Sequence, residues 1–219
     1  MGGGGNCLFL SIAPQVSAED AAAACERSGL PQSDVREWDS LPLLERARVL
    51  RRLAIADEEA FIAAVAELRS SGAALTEYQR WRVVEYFKDM AEEFVSSGIT
   101  ELAEGVPREN IHAVYQRVRE LARDTPEDGM LDFVLKHAEE YMRITGQDGN
   151  WAGSSEMAAL SRSLDRPFHA FGNDGVSREI VELGDVGGGE WRVLPYFVAM
   201  PPSGAGGEPV RIFQRNGGG

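Results

Sequence analysis

Cysteine is scarce in this chain of 219 residues, in which Cys7 and Cys25 are the two examples. Two cysteines are too few for a disulfide framework, and they fit a reducing compartment in which a reactive thiol can persist. The sequence also lacks an apolar run of the ~18 residues that a membrane span needs. Its first residues lack the basic start and apolar stretch of a secretion signal. We therefore expect a cytoplasmic protein with no membrane span.

Basic residues are also in short supply: the chain has 22 of them and 35 acidic residues, which gives a net charge of −13. An acidic surface repels phosphate backbones, which argues against nucleic acid as the main partner and favours a partner with a basic face or tail. No spacing of His, Cys and Asp is typical of a metal site, so we expect neither a metal nor a cofactor.

Helical periodicity dominates the chain from about residue 17 to residue 145, where apolar residues recur every 3.6 positions. The last third differs: a helix is predicted at 154–164, followed by short runs rich in Val, Ile, Phe and Tyr at 167–171, 178–183, 191–200 and 209–213. The sequence therefore predicts an α+β protein, with a small mixed or antiparallel sheet packed by helices and a large helical lobe.

Cys7 follows four glycines and Asn6 and precedes an apolar segment that we predict to be helical. Glycines let the backbone turn sharply and point its N–H groups into a cavity, and a helix start favours a thiolate. The backbone N–H groups of Gly4, Gly5 and Asn6 could then hold the oxyanion that forms when a thiolate attacks a carbonyl. The alternative is a small buried cysteine beside a glycine-rich tail. A phosphate loop is disfavoured, because its lysine, its Ser/Thr and a preceding strand are missing.

Three segments resemble elements of the OTU family of cysteine proteases, in family order. Residues 5–11, Gly-Asn-Cys-Leu-Phe-Leu-Ser, are similar to the family's nucleophile motif, Asp-Gly-Asn-Cys-Leu-Phe-Arg-Ser. Residues 151–160 and 164–168 resemble a Trp-Gly-Gly turn that enters a helix and an Arg-Pro pair that leads into a core strand. Residues 208–213 resemble the strand before the catalytic histidine. This chain departs from the family at Gly4, where the family has aspartate.

The resemblance implies a papain-superfamily core formed by residues 1–16 and 146–219, with residues 17–145 as a helical insertion lobe. A helical insertion at this point resembles bacterial effector OTU enzymes, which would act in a host cytoplasm. The lobe is either a substrate-binding element or a scaffold that covers the core. The implied activity is a deubiquitinase, in which Cys7 cleaves isopeptide bonds of ubiquitin, polyubiquitin or a ubiquitin-like modifier.

A thiol protease also needs a general base. By the family's spacing, the histidine is expected at or just past Gly219, so we expect the chain to hold the nucleophile without its usual base. Of the three histidines, we expect His112 and His137 to be solvated on the helical lobe, and His169 on a predicted strand is the substitute candidate for the base. A non-catalytic module that binds ubiquitin, or another partner through its helices, is the alternative hypothesis.

Overall fold

The structure is a computed structural model that describes residues 6–97, 106, 110–150, 152–172, 180–182, 191–193, 197–204 and 208–214. Within these residues the protein is mostly helical with a small mixed sheet, which confirms the broad α+β prediction. The helices are α1 Cys7–Ile12, α2 Ala18–Arg27, α3 Leu43–Ser71, α4 Glu77–Ser97, α5 Ile111–Asp124, α6 Glu127–Thr145 and α7 Ser154–Leu164. No helix in the described part of the chain is long and apolar enough to cross a membrane.

Local sequence explains where several helices begin. The Ser17 side chain accepts a hydrogen bond from the Asp20 amide and caps α2, as its sequence predicts. Asn110 caps α5 in the same way through the amides of His112 and Ala113. The helix predicted at 154–164 is α7, with the same bounds.

The strands form two sheets in the described residues. In the larger sheet, β1 (Phe168–Gly172) lies between β4 (Phe197–Ala199), which is antiparallel to it, and β5 (Val210–Gln214), which is parallel to it. The other sheet is an antiparallel pair, β2 (Ile180–Glu182) and β3 (Trp191–Val193).

The run at 191–200, predicted as one strand, is in fact two strands that belong to different sheets. The run contains Pro195, a residue that has no amide hydrogen to give to a strand ladder.

Contacts divide the chain into two compact units. The helical unit comprises Met1–Asn6 and Ala54–Ala159, and the sheet unit comprises Cys7–Leu53 and Leu160–Gly219. Residues 17–53 thus belong with the sheet, although the sequence assigned them to the insertion lobe, and residues 146–159 belong with the helices. The assignment of a catalytic core and an inserted lobe stays a prediction.

Each unit has its own buried apolar core. In the helical unit, α4 packs against α5 and α6. Its core includes Phe61, Val65, Val83, Tyr86, Met90, Phe94, Val114, Val134 and Tyr141. In the sheet unit, the Trp38 indole donates to the Val16 carbonyl at 2.8 Å and is almost fully buried. The core there includes Phe9, Ile12, Val16, Trp38, Leu50, Leu53, Phe168, Ala170, Val210 and Ile212.

The buried face of α4 differs from the predicted stripe. Apolar periodicity in this segment predicts a buried stripe of Tyr78, Trp81, Val84, Phe87, Ala91 and Phe94. Phe87, Ala91 and Phe94 are buried as predicted, whereas Tyr78, Trp81 and Val84 are partly exposed, and Arg82 and Tyr86 are fully buried. A pattern based on apolar residues passes over an arginine, so the burial of Arg82 was not predicted.

Candidate active site

Cys7 is the first residue of α1, and its side chain is exposed. Leu8, Phe9 and Ile12 of the same helix are buried, so the helix is anchored while the thiol faces outward. With six residues, α1 has fewer than two turns, and its dipole is weaker than that of a longer helix. The alternative for Cys7, a small buried cysteine, is wrong, because Cys7 is exposed. Cys25 is the buried cysteine, and burial followed by the Asp34 charge raises the pKa of its thiol.

The segment before Cys7 is described only from Asn6 onward, so the predicted oxyanion residues Gly4 and Gly5 lie outside the described residues. Within the helical unit, the Asn6 side-chain oxygen accepts a hydrogen bond from the Gly149 amide at 3.3 Å. Gly149 lies just before the 151–160 motif. The hydrogen bond therefore brings that motif close to the nucleophile motif at 5–11, whereas the family resemblance related the two only by their order along the chain.

The start of α7 is capped by two carboxylates. Glu156 accepts from the Gly153 amide at 2.6 Å, the arrangement of a capping box in which the third helical residue reaches back to the residue before the helix. Gly153 has no side chain with which to complete that box. Asp89 of α4 supplies the missing cap, because it accepts from the Ser155 amide at 2.7 Å and from both the Ser154 and Ser155 hydroxyls.

A side chain at position 153 would force the Asp89 carboxylate to shift. A Cβ atom placed there would lie 2.7 Å from the Asp89 Oδ2 atom, well inside contact distance. Gly153, the last residue of the Trp-Ala-Gly segment, therefore leaves room for the Asp89 carboxylate at the start of α7. Trp151 itself lies outside the described residues.

Asp89 and Glu156 share the Ser155 hydroxyl, at 2.7 Å and 3.2 Å respectively. Burial, followed by the Glu156 charge, raises the pKa of Asp89 to about 8, against the opposing hydrogen bonds from Ser155. Burial also raises the pKa of Glu156, which the Gly153 amide and the Tyr141 hydroxyl oppose. We assign the proton at neutral pH to Asp89, because its pKa of about 8 lies above neutral pH.

A second buried polar group lies in the same unit. The Arg82 guanidinium is fully buried, with its Nη1 atom 2.9 Å from Asp57 Oδ2 and its carbon 4.1 Å from the Phe61 ring centre. Glu58 beside it is also fully buried. Burial, followed by the Glu156 charge, raises the pKa of Glu58 well above its ordinary range, against the opposing charge of Arg82.

His169 lies at the centre of the larger sheet, in register with Val198 of β4 and Arg211 of β5. Its neighbours in the strand, Phe168 and Ala170, are fully buried on one face. Because side chains alternate along a strand, His169 belongs to the other face, where Val198 and Arg211 are exposed. Its role as a substitute base stays a prediction.

The other two histidines lie on helices of the helical unit. His112 is exposed on α5, as expected. His137 is not a solvated surface residue: it is partly buried on α6, with its ring centre 4.6 Å from that of Phe133 and 5.4 Å from that of Phe94. Burial, with the Lys136 charge, lowers the pKa of His137.

The described residues contain no group of three or more His, Cys, Asp or Glu side chains that could hold a metal ion. Comparisons of the chain with protein-family models, with curated proteins and with solved structures gave no match. Membership of the OTU family therefore stays a prediction that rests on the motif residues.

Proposed function

We propose that this chain is an OTU-like cysteine isopeptidase that acts on ubiquitin conjugates, with Cys7 as the nucleophile. The observation that carries the proposal lies in the sheet unit: α1, which begins with the exposed Cys7, packs against β5, and β5 pairs in parallel with β1. The first and last motifs of the family resemblance are thereby neighbours, as a protease needs when the base follows the last strand.

The hydrogen bond from the Gly149 amide to Asn6 gives separate support. It fixes the residue directly before Cys7 to the segment that leads into α7. A nucleophile loop needs such a restraint, because an oxyanion hole works only if its N–H groups are already oriented when the substrate carbonyl arrives.

In the proposed reaction, the Cys7 thiolate attacks the carbonyl carbon of the isopeptide bond, and backbone N–H groups of the 4–6 loop hold the oxyanion. The C–N bond then breaks, and the lysine amine leaves with a proton from the general acid. Water attacks the resulting thioester, the C–S bond breaks, and ubiquitin leaves with a free carboxylate. The base in this chain would be His169, the substitute candidate on β1. The net charge of −13 would attract the basic tail of ubiquitin.

Turnover of lysine-linked diubiquitin by the wild-type protein, Cys7→Ala and Cys25→Ala tests the proposal. We expect the wild type and Cys25→Ala to release ubiquitin and Cys7→Ala to be inactive. Cys25→Ala is the matched control, because it removes the other thiol in the chain, which is buried. Equal turnover by Cys7→Ala and the wild type would rule out Cys7 as the nucleophile.

A non-catalytic ubiquitin-binding module is the second candidate. The observation that favours it is the position of His169 on the exposed face of the sheet with Arg211 and Val198, the face opposite the buried Phe168 and Ala170. Under this proposal the wild type and Cys7→Ala bind ubiquitin with equal affinity, and neither releases it from diubiquitin. Isothermal titration of both proteins with ubiquitin measures the affinity, and the diubiquitin turnover assay distinguishes the two functions. The absence of both binding and turnover would contradict both.

A further inference from the structure

The side-chain amide of Gln15 pairs with both main-chain polar groups of one residue in β5. Its Nε2 atom donates to the Arg211 carbonyl at 2.9 Å, and its Oε1 atom accepts from the Arg211 amide at 3.0 Å. The second Nε2 hydrogen goes to the Ser11 carbonyl of α1 at 2.9 Å. Both hydrogens of the amide and one lone pair of its oxygen are therefore used.

These bonds place Gln15 along the outer edge of β5. Arg211 stands in parallel register with His169 of β1, and the polar groups of alternate residues in a strand point to opposite sides. Because the amide and carbonyl of Arg211 bind Gln15, they point away from β1. Gln15 thus pairs with β5 as a residue of a neighbouring strand would.

The main chain of Gln15 is held as well. Its carbonyl accepts from Arg166 Nη1 at 2.7 Å, and the same guanidinium donates to the Glu208 carbonyl at 2.8 Å, two residues before β5 begins. Gln15 ends the 3-10 turn Ala13–Gln15, which continues α1 directly from Ile12 in helical conformation. A restraint at Gln15 therefore acts at one end of a continuous helical segment whose other end is Cys7.

We propose that Gln15 is a positioning residue, which sets the orientation of Cys7 by fixing α1 and its 3-10 turn to the outer edge of β5. This inference rests on the proposed function for its importance in catalysis, since orientation matters when a nucleophile, a base and a carbonyl must align. The contact itself depends only on the fold. Two substitutions test the side-chain hydrogen bonds of Gln15 separately. Gln15→Leu removes all three of them at similar volume. Gln15→Glu keeps an acceptor for the Arg211 amide but loses the two donors.

A nitroxide attached to Cys7 in a Cys25→Ala background reports on that orientation without any need for activity. Releasing α1 should shorten the rotational correlation time of the label by about threefold in Gln15→Leu, with an intermediate effect in Gln15→Glu. Gln32→Leu is the matched control, because Gln32 lies in the same unit and its side chain makes one hydrogen bond to the Ala22 carbonyl. Equal label mobility in the wild type and both Gln15 variants, folded by circular dichroism, overturns the proposal.

The second readout is the kinetics of adduct formation with a ubiquitin probe that carries a C-terminal electrophile, measured at pH 9, where an ordinary thiol ionises without a base. Gln15→Leu should lower the limiting rate about tenfold while the half-saturating probe concentration stays unchanged. A change in the half-saturating concentration alone overturns the positioning role. A wild type that forms no adduct contradicts the proposed function, and the nitroxide measurement then still decides the role of Gln15.

Discussion

Replacing Asp89 by asparagine should change how the stability of the protein depends on pH. The pKa of Asp89 rises from 3.8 to about 8 on folding, so the folded protein keeps a proton that the unfolded chain releases. The contribution of Asp89 to the free energy of unfolding is full below about pH 4 and is lost progressively as pH rises to about 8.

The expected magnitude follows from the shift. Within that window the slope is at most about 1.4 kcal/mol per pH unit, or about 3 kcal/mol between pH 5 and pH 7, and the partial exposure of Asp89 reduces it. Asparagine cannot release a proton in this range, and its side-chain oxygen can accept from the Ser155 amide as Asp89 does. Asp89→Asn should therefore show the shallower dependence on pH.

Urea unfolding at pH 5, 6, 7 and 8, followed by far-ultraviolet circular dichroism, measures this difference. Asp128→Asn is the control for the change in net charge, because it removes a carboxylate that is 81% exposed in the same unit. The wild type and Asp89→Asn should diverge as pH rises, with the variant the more stable at pH 8. If the two curves stay parallel from pH 5 to pH 8, the folded protein does not hold a proton on Asp89.

Three further predictions concern single side chains. Gly153→Ala should lower the free energy of unfolding, measured in urea, by about 1–3 kcal/mol, because the new Cβ would lie 2.7 Å from the Asp89 carboxylate. An unchanged urea midpoint would show that Asp89 can move aside without loss of stability. Arg82→Met should lower stability by about 3–5 kcal/mol, because it removes the buried ion pair between the Arg82 guanidinium and the Asp57 carboxylate, and a loss below about 1 kcal/mol would contradict the importance of that pair. In the native protein, a disulfide reagent should react fast with the exposed Cys7, whereas the buried Cys25 should react only after unfolding. A fast reaction of native Cys7→Ala with the reagent would contradict the burial of Cys25.

Much of the local structure was predictable because it depends on neighbouring residues. The Ser17 cap and the bounds of α7 follow from side chains within a few positions. The strands at 167–171 and 209–213 match β1 and β5 within a residue at either end. The position of Cys7 at the start of an anchored helix was also readable, because Leu8 and Phe9 follow it.

The tertiary partners of polar residues were not predictable. Asp89 caps a helix that lies 65 residues further along the chain, and nothing in its own helix marks it as a cap. Arg82 is fully buried on the core-facing side of α4, where a pattern of apolar residues predicts no arginine. Gln15 pairs with Arg211 across 196 residues. One available signal was Gly153, since a glycine directly before a helix start leaves the cap to be supplied from elsewhere.

Cys7, as the proposed nucleophile, should form a covalent bond with the C-terminus of ubiquitin. The most direct measurement is the intact mass of the protein after incubation with the C-terminal electrophile probe, in the wild type, Cys7→Ala and Cys25→Ala. We expect a mass increase of one ubiquitin in the wild type and Cys25→Ala, mapped to Cys7 by peptide analysis, and no increase in Cys7→Ala. An adduct that persists in Cys7→Ala, or a wild type that stays unmodified, would contradict it.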